Sequence, residues 1–183
     1  MWNPVIISAL IVMLLITVLE MVSMNPFDQA WTFLKSGDYR QAAGMAIRNR
    51  VHPSLVLWLR RSPEEDSMHG LWELPGGKVE EHHRDPQHTA EEEVMEECGL
   101  PVSNVESIGQ HIDHDMQKVY HGFTGDAEHS EVTLPRNPET GVQEHDKYMW
   151  RDPESMFETY EGNVSHHAQY LLGQQEEPEQ EVF

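Results

Sequence analysis

Residues 72–100 read WELPGGKVEEHHRDPQHTAEEEVMEECGL, and the rest of the chain is best read outward from them. A short extended segment, Gly70–Leu74, is broken by Pro75-Gly76-Gly77. A helix is expected at about Thr89–Cys98, closed by Gly99 and Pro101. On that helix Glu93, Glu96 and Glu97 lie within about 100° of arc, because residues three and four apart are surface neighbours. Val94, Met95 and Cys98 fall opposite, toward a core. Three carboxylates so placed repel. At an effective dielectric near 20 and ~6 Å separation, each partly buried pair costs about 3 kcal/mol. A divalent cation removes that cost, and hard Mg²⁺ or Mn²⁺ prefers oxygen ligands. The Gly-Gly bend can add a backbone carbonyl and bring phosphates close to the main chain. A solvated acidic face is the ordinary fate of such a run, and the helix pattern alone leaves both readings open.

Downstream, strand-like pieces are expected at Val105–Ile112, Lys118–Thr124 and Lys147–Trp150. Asp152-Pro153-Glu154 starts one helix, and Ser165–Leu172 forms a last one. The polar, acidic tail 174–183 is expected to be disordered. Upstream, Leu55–Leu59 is a short apolar run suited to a strand covered on both faces. Residues 24–50 read as a helical hairpin. Asn25-Pro26 caps a first helix with Phe27, Ala30, Trp31 and Leu34 at helical spacing, and Ser36-Gly37-Asp38 ends it and caps a second from about Tyr39 to Arg48.

Before them Pro4–Leu19 reads PVIISALIVMLLITVL, without charge. Flanking residues extend it toward the ~17–25 residues that a membrane-spanning helix needs. Lys35, Arg40, Arg48, Arg50, Arg60 and Arg61 all follow it and nothing basic precedes it. A single-pass anchor at residues 4–22 with the bulk of the chain cytoplasmic is therefore expected. Two other readings stay open: a start at Met24, and a cleaved signal peptide, against which the missing basic leader and poor cleavage site speak.

The 183 residues hold 12 Lys plus Arg against 32 Asp plus Glu, a formal charge of −20. That balance excludes a duplex nucleic-acid binder, which gains affinity by neutralising phosphates. It fits a solvated surface kept soluble by charge, or adaptation to high salt. The single Cys98 excludes an intramolecular disulfide and a cysteine-rich zinc site. On the apolar side of the acidic helix it reads as a buried small hydrophobe rather than a nucleophile. Twelve histidines include His82-His83, His166-His167 and His111/His114. Solvated or loop histidines are expected, since without cysteine partners their spacing does not define zinc ligands. Trp58 and Trp72 read as core, and no Ser-His-Asp or phosphate-loop spacing is present.

Residues 72–80 together with 93–100 resemble the signature of the Nudix hydrolases, G-x5-E-x7-R-E-U-x-E-E-x-G-U with U apolar. Strand, Gly-Gly turn, loop, acidic helix and Gly-apolar terminator come in the family's order. Leu55–Ser62 is similar to the family's first core strand, and residues 144–150 to a late strand and the loop before it. The resemblance implies an α+β fold, an α/β/α sandwich with a mixed β-sheet. The N-terminal hydrophobic helix and short helical hairpin would precede it, giving segments 1–23, 24–50, 51–173 and 174–183. It implies Glu93, Glu96, Glu97 and the Gly76 carbonyl as ligands of Mg²⁺ or Mn²⁺. Glu96, Glu97 and Glu144 are the implied catalytic residues, Glu144 binding a second cation or acting as general base. The implied reaction is hydrolysis of a diphosphate linkage in a small nucleoside diphosphate derivative by a metal-activated water. In so acidic a chain the metal also bridges to a polyanionic substrate.

Gly77 to Gly99 is one residue longer than the family spacing, which places an insertion near His82–Asp85. The family's first glutamate then falls on His83 and its arginine on Glu92, so both members of a supporting ion pair are changed. His83 or Arg84 paired with Glu92 would restore the contact with reversed polarity. These changes favour a competing reading, a catalytically weak or inactive membrane-tethered module that binds nucleotides or regulates. The intact Glu93/Glu96/Glu97 set and Glu144 favour the hydrolase. Substrate choice is expected to lie in the loop 125–143.

Overall fold

The structure is a computed structural model, and it describes residues 39–173 except Glu139. The strands are β1 (Arg40–Arg48), β2 (Val56–Arg61), β3 (Trp72–Glu73), β4 (Gly76–Lys78), β5 (Val102–Asp113), β6 (Lys118–Ala127) and β7 (His145–Arg151). The helices are α1 (Pro86–Cys98), α2 (Pro153–Thr159) and α3 (His166–Gly173).

All seven strands belong to one mixed sheet whose main path runs β3-β2-β1-β6-β5, with β4 added to β1 and β7 to β2. β1 and β6 pair in parallel from Arg40↔Lys118 to Arg48↔Asp126, whereas β1–β4, β2–β7 and β5–β6 are antiparallel. Because side chains alternate along a strand, β1 feeds two cores. Ala43, Met45 and Ile47 pack with Ala90, Val94 and Cys98 of α1. Ala42 packs with Tyr120 and Leu171, and Ala46 with Trp58, Met156 and Ala168, on the face carrying α2 and α3. A mixed sheet between helices is what the resemblance implied.

β1 corrects an expectation. Arg40–Arg48 is a strand where a second helix was expected from about Tyr39 to Arg48, so the helical extension over 24–50 gives way to sheet from Arg40 onward. Its alanines favour helix in isolation, but the strand is buried almost throughout, and tertiary packing overrides propensity. A Cβ on Gly44 would lie 1.9 Å from the Tyr120 hydroxyl, so β1 needs small residues where β6 crowds it. Val56–Arg61 is consequently the second core strand rather than the first. The hydrophobic run 4–22, the first expected helix and the tail 174–183 lie outside the described residues. Among the described residues no helix is long and apolar enough to cross a membrane.

Helix α1 starts one turn before its expected position. Asp85 caps it, accepting from the His88 N–H at 2.8 Å, and Pro86 fits the first turn, where no N–H is needed. Such a cap contributes about 1 kcal/mol. Gly99 ends it at φ +63°, its N–H donating to Met95 O at 3.0 Å. Ala90, Val94 and Cys98 form the buried stripe, as spacing by four residues requires. Met95, expected on that side, is 48% exposed, because it sits one residue past the stripe. Cys98, Trp58 and Trp72 are buried, as the sequence reading held.

Candidate active site

The bend at Gly76-Gly77 and the acidic face of α1 meet at one cleft of about 860 Å³. Gly76, Glu93, Glu96, Glu97 and Glu144, the five residues singled out in the sequence, all line it. Three elements hold them. β4 pins Gly76 and Gly77 against Gly44 and Ala43 of β1, α1 carries the glutamates, and the segment before β7 delivers Glu144.

The contacts are close. The Gly76 N–H donates to Glu97 Oε2 at 2.9 Å, which fixes that carboxylate under the bend. A Cβ on Gly77 would lie 1.9 Å from Glu93 Oε1, so glycine is required there for the carboxylate to come so near the chain. The Glu97 side chain is only 8% exposed. Burial, followed by the charges of Glu93 and Glu73, pushes its carboxyl well above the usual range despite the Gly76 hydrogen bond. Burial also pushes Glu93 up to about 7, with Glu96 and Glu144 adding to the effect. Among the described residues no Lys or Arg lies within ion-pair distance of Glu93 or Glu97. Carboxylates so gathered, with the Glu97 side chain buried, Glu93 half-buried and Glu96 exposed, and with no Lys or Arg partner among the described residues, form a hard oxygen donor set that fits Mg²⁺ or Mn²⁺. Glu144 accepts from the Asn137 side-chain amide, which orients it at the cleft wall.

The sequence reading missed His145. It is buried, with Nε2 3.1 Å from Glu73 Oε1 and Nδ1 3.7 Å from Glu97 Oε1. Arg61 Nη1 donates to the same Glu73 oxygen at 3.1 Å. Glu73, placed between the Arg61 guanidinium and the His145 imidazole, braces His145 against the back of Glu97. The available signal was adjacency to Glu144, and its meaning depends on Glu73, 72 positions away in the chain.

The changed pair makes contact. His83 Nε2 lies 3.0 Å from Glu92 Oε2, while Arg84 pairs with Asp85 instead. The Glu80 N–H donates to His83 Nδ1 at 2.8 Å, which puts the ring proton on Nε2, close to Glu92 Oε2 but outside hydrogen-bond geometry. His82 Nε2 is 3.7 Å from the same carboxylate oxygen. The three residues are close enough to suggest a metal site, but a histidine ligand donates its second N–H outward, and here that nitrogen accepts. The cluster is a supporting pair that ties the inserted loop to α1. His83 is buried in the loop before α1, whereas His111, His121 and His145 are buried on strands, contrary to the expectation of solvated or loop histidines, and His167 stacks on Tyr120 at 4.6 Å. His83→Ala removes a buried ring and leaves the Glu80 N–H without its acceptor, and should cost about 1–3 kcal/mol in denaturant unfolding. It should also weaken metal uptake. The swap His83→Glu with Glu92→Arg should restore both.

The NUDIX domain family model matches residues 38–172, the same stretch that forms this sheet and cleft. The chain belongs to the Nudix family. Solved Nudix structures share the fold. The MutT protein of Methanosarcina mazei Go1 is 23% identical with a TM-score of 0.56, over 75% of this chain and 93% of that one. The MutT Nudix hydrolase of Burkholderia pseudomallei is 23% identical with a TM-score of 0.51, over 75% and 98%. The Nudix domain of Shewanella oneidensis NrtR, in complex with ADP ribose, is 14% identical with a TM-score of 0.52, over 75% and 84%. No curated protein sequence matches the chain.

Proposed function

We propose that this Nudix domain hydrolyses a diphosphate linkage in a nucleoside diphosphate derivative. In this reading Glu93, Glu96, Glu97 and the Gly76 carbonyl hold Mg²⁺ or Mn²⁺. The observation that carries the proposal is Glu97, a buried carboxylate beside Glu93, anchored to the Gly76 N–H at 2.9 Å and, among the described residues, without a Lys or Arg partner. A bound dication supplies a water of lowered pKa and neutralises charge on the phosphoryl oxygens. Glu144, oriented by Asn137, takes the proton of the attacking water. His145 and Glu73 keep the Glu97 carboxylate in place. The test is release of phosphate or nucleoside monophosphate from a mixed nucleotide panel with Mg²⁺, with and without residues 1–23. Anchoring through residues 4–22, with the domain in the cytoplasm, belongs to the same reading, and fractionation of the two forms tests it.

The competing reading is a nucleotide-binding or regulatory module without turnover. It draws on Glu92, which stands where the family signature has arginine. The His83–Glu92 contact at 3.0 Å supplies the missing support and favours the hydrolase.

The site also predicts a pH dependence. Folded, Glu93 keeps its proton to about pH 7, whereas an ordinary glutamate releases it near 4.5. Between those values the folded chain binds the extra proton, so stability falls as pH rises through that window. With its partial solvent access the fall should be on the order of 2 kcal/mol. Metal-free melts of the wild type relative to Glu93→Gln, from pH 4.5 to 8, should show it. Added Mg²⁺ should remove most of the difference at neutral pH, because it binds only the folded, deprotonated site.

A further inference from the structure

Behind the Gly76-Gly77 bend, on the sheet face that carries α3, lies a second cavity of about 440 Å³. It shares Arg61, Gly76 and Gly77 with the acidic cleft, so the bend is a common wall of the two. In a chain of charge −20, four of the twelve basic residues, Arg40, Arg61, Lys78 and Lys118, line it. Two of these are already committed, Arg61 to Glu65 and Glu73, and Lys78 to Glu80.

Arg40 and Lys118 are different. The β1–β6 register sets them directly opposite each other, a placement that is destabilising for like charges. Neither has a carboxylate within ion-pair distance among the described residues. Arg40 donates to the Met116 carbonyl at 3.0 Å, and Lys118 Nζ lies 5.6 Å from the centre of the Tyr120 ring. Two acidic residues also line the cavity. Glu73 is held by Arg61 and His145, and Asp113, across from Lys118 on β5, accepts the Met116 N–H at 2.8 Å in its own turn. Burial and the Arg40 charge hold the Lys118 ammonium below its usual range. Lys118 is half-buried and Arg40 exposed, and two adjacent cations with no carboxylate within ion-pair distance are what a bound anion corrects.

We infer that Arg40 and Lys118 form a subsite for a second phosphate of the substrate, carried on the nucleoside away from the scissile diphosphate. The inference rests on the proposed hydrolase reading and names its substrate class: a nucleoside diphosphate derivative phosphorylated on its ribose. β6 lies two strands from β4, roughly 10 Å, and Lys118 pairs four residues along β1 from the Gly44↔Gly76 pair, roughly 13 Å more, of which the Lys118 side chain, turned over the Tyr120 ring, spans about half. That is too far for the neighbouring phosphate of the same diphosphate and within reach of one across a ribosyl unit. The Tyr120–His167 stack, at 4.6 Å and 7°, walls the space between with flat aromatic surface. Gly44 makes room for Tyr120 by lacking a Cβ.

The test is calorimetry on the full chain in EDTA with matched ligands: ADP-ribose against 2′-phospho-ADP-ribose, and dephospho-coenzyme A against coenzyme A. At least one phosphorylated member should bind about tenfold tighter than its partner. Lys118→Met and Arg40→Met should each reduce that ratio below about twofold and leave the unphosphorylated ligand unaffected. Lys118→Met should also melt no lower than the wild type, since a like-charge contact is lost. Equal affinity within both pairs, or a preference that survives both substitutions, overturns the inference. A chain that shows the preference but turns over nothing would refute the hydrolase reading and leave this subsite standing.

Discussion

Glu97→Gln is expected to lower Mg²⁺-dependent hydrolysis by about a thousandfold, the scale seen when one directed electrostatic contact to a transition state is lost. Glutamine has the same shape, and its amide oxygen can still accept the Gly76 N–H that Glu97 Oε2 accepts at 2.9 Å. The bend and helix α1 should therefore stay where they are. What goes is the charge. In the metal-free wild type that charge is a burden, since burial and the neighbouring Glu93 and Glu73 already push the Glu97 carboxyl far up. The substitution should accordingly raise the metal-free melting temperature while abolishing turnover. That opposite response separates a lost ligand from a damaged fold. Initial rates with the active substrate and thermal melts without metal are sufficient to read it. A variant that keeps wild-type turnover would remove Glu97 from the chemistry.

The two glycines of the bend should fail in different ways. A Cβ on Gly76 would lie 2.3 Å from the Ala43 carbonyl oxygen and 2.5 Å from Gly44 Cα, both main-chain atoms of the central strand. Neither can move without opening the β1–β4 ladder at Gly44↔Gly76. Gly76→Ala should therefore cost about 3 kcal/mol or more in denaturant unfolding, at the upper end of overpacking costs. A Cβ on Gly77 meets only the Glu93 carboxylate, the far end of a flexible side chain. Gly77→Ala should change stability by less than about 1 kcal/mol, yet displace Glu93 and reduce both metal uptake and hydrolysis. Equal stability loss in the two variants would contradict the packing described for the bend.

These contrasts also show what the sequence could and could not reveal. The acidic helix was legible because a 3.6-residue period places Glu93, Glu96 and Glu97 together whatever surrounds them. The bend was legible because Gly76-Gly77 after proline ends an extended segment in almost any context. The resemblance carried the mixed sheet and Glu144. β1 was misread because Ala42, Ala43 and Ala46 suit a helix in isolation, and only the crowding by Tyr120 and the register with β6 make them a strand. His145 went unassigned because its role depends on Glu73 and Glu97, which reach it from two other elements. The pairing of His83 with Glu92 was foreseeable, since a one-residue insertion shifts the loop over α1. The choice of His83 over Arg84 required the Glu80 N–H that fixes the imidazole.

Titration calorimetry of Mg²⁺ into the wild type, and into the same chain with Glu93→Gln and Glu97→Gln together, asks the question most directly. The wild type should take up the dication with saturable heat and release protons at pH 6.5, because Glu93, pushed up to about 7, must ionise to bind. The double variant should show neither the uptake nor the proton release. An identical titration in both proteins, or none in the wild type, would mean that the carboxylates beneath the glycine bend do not hold a metal.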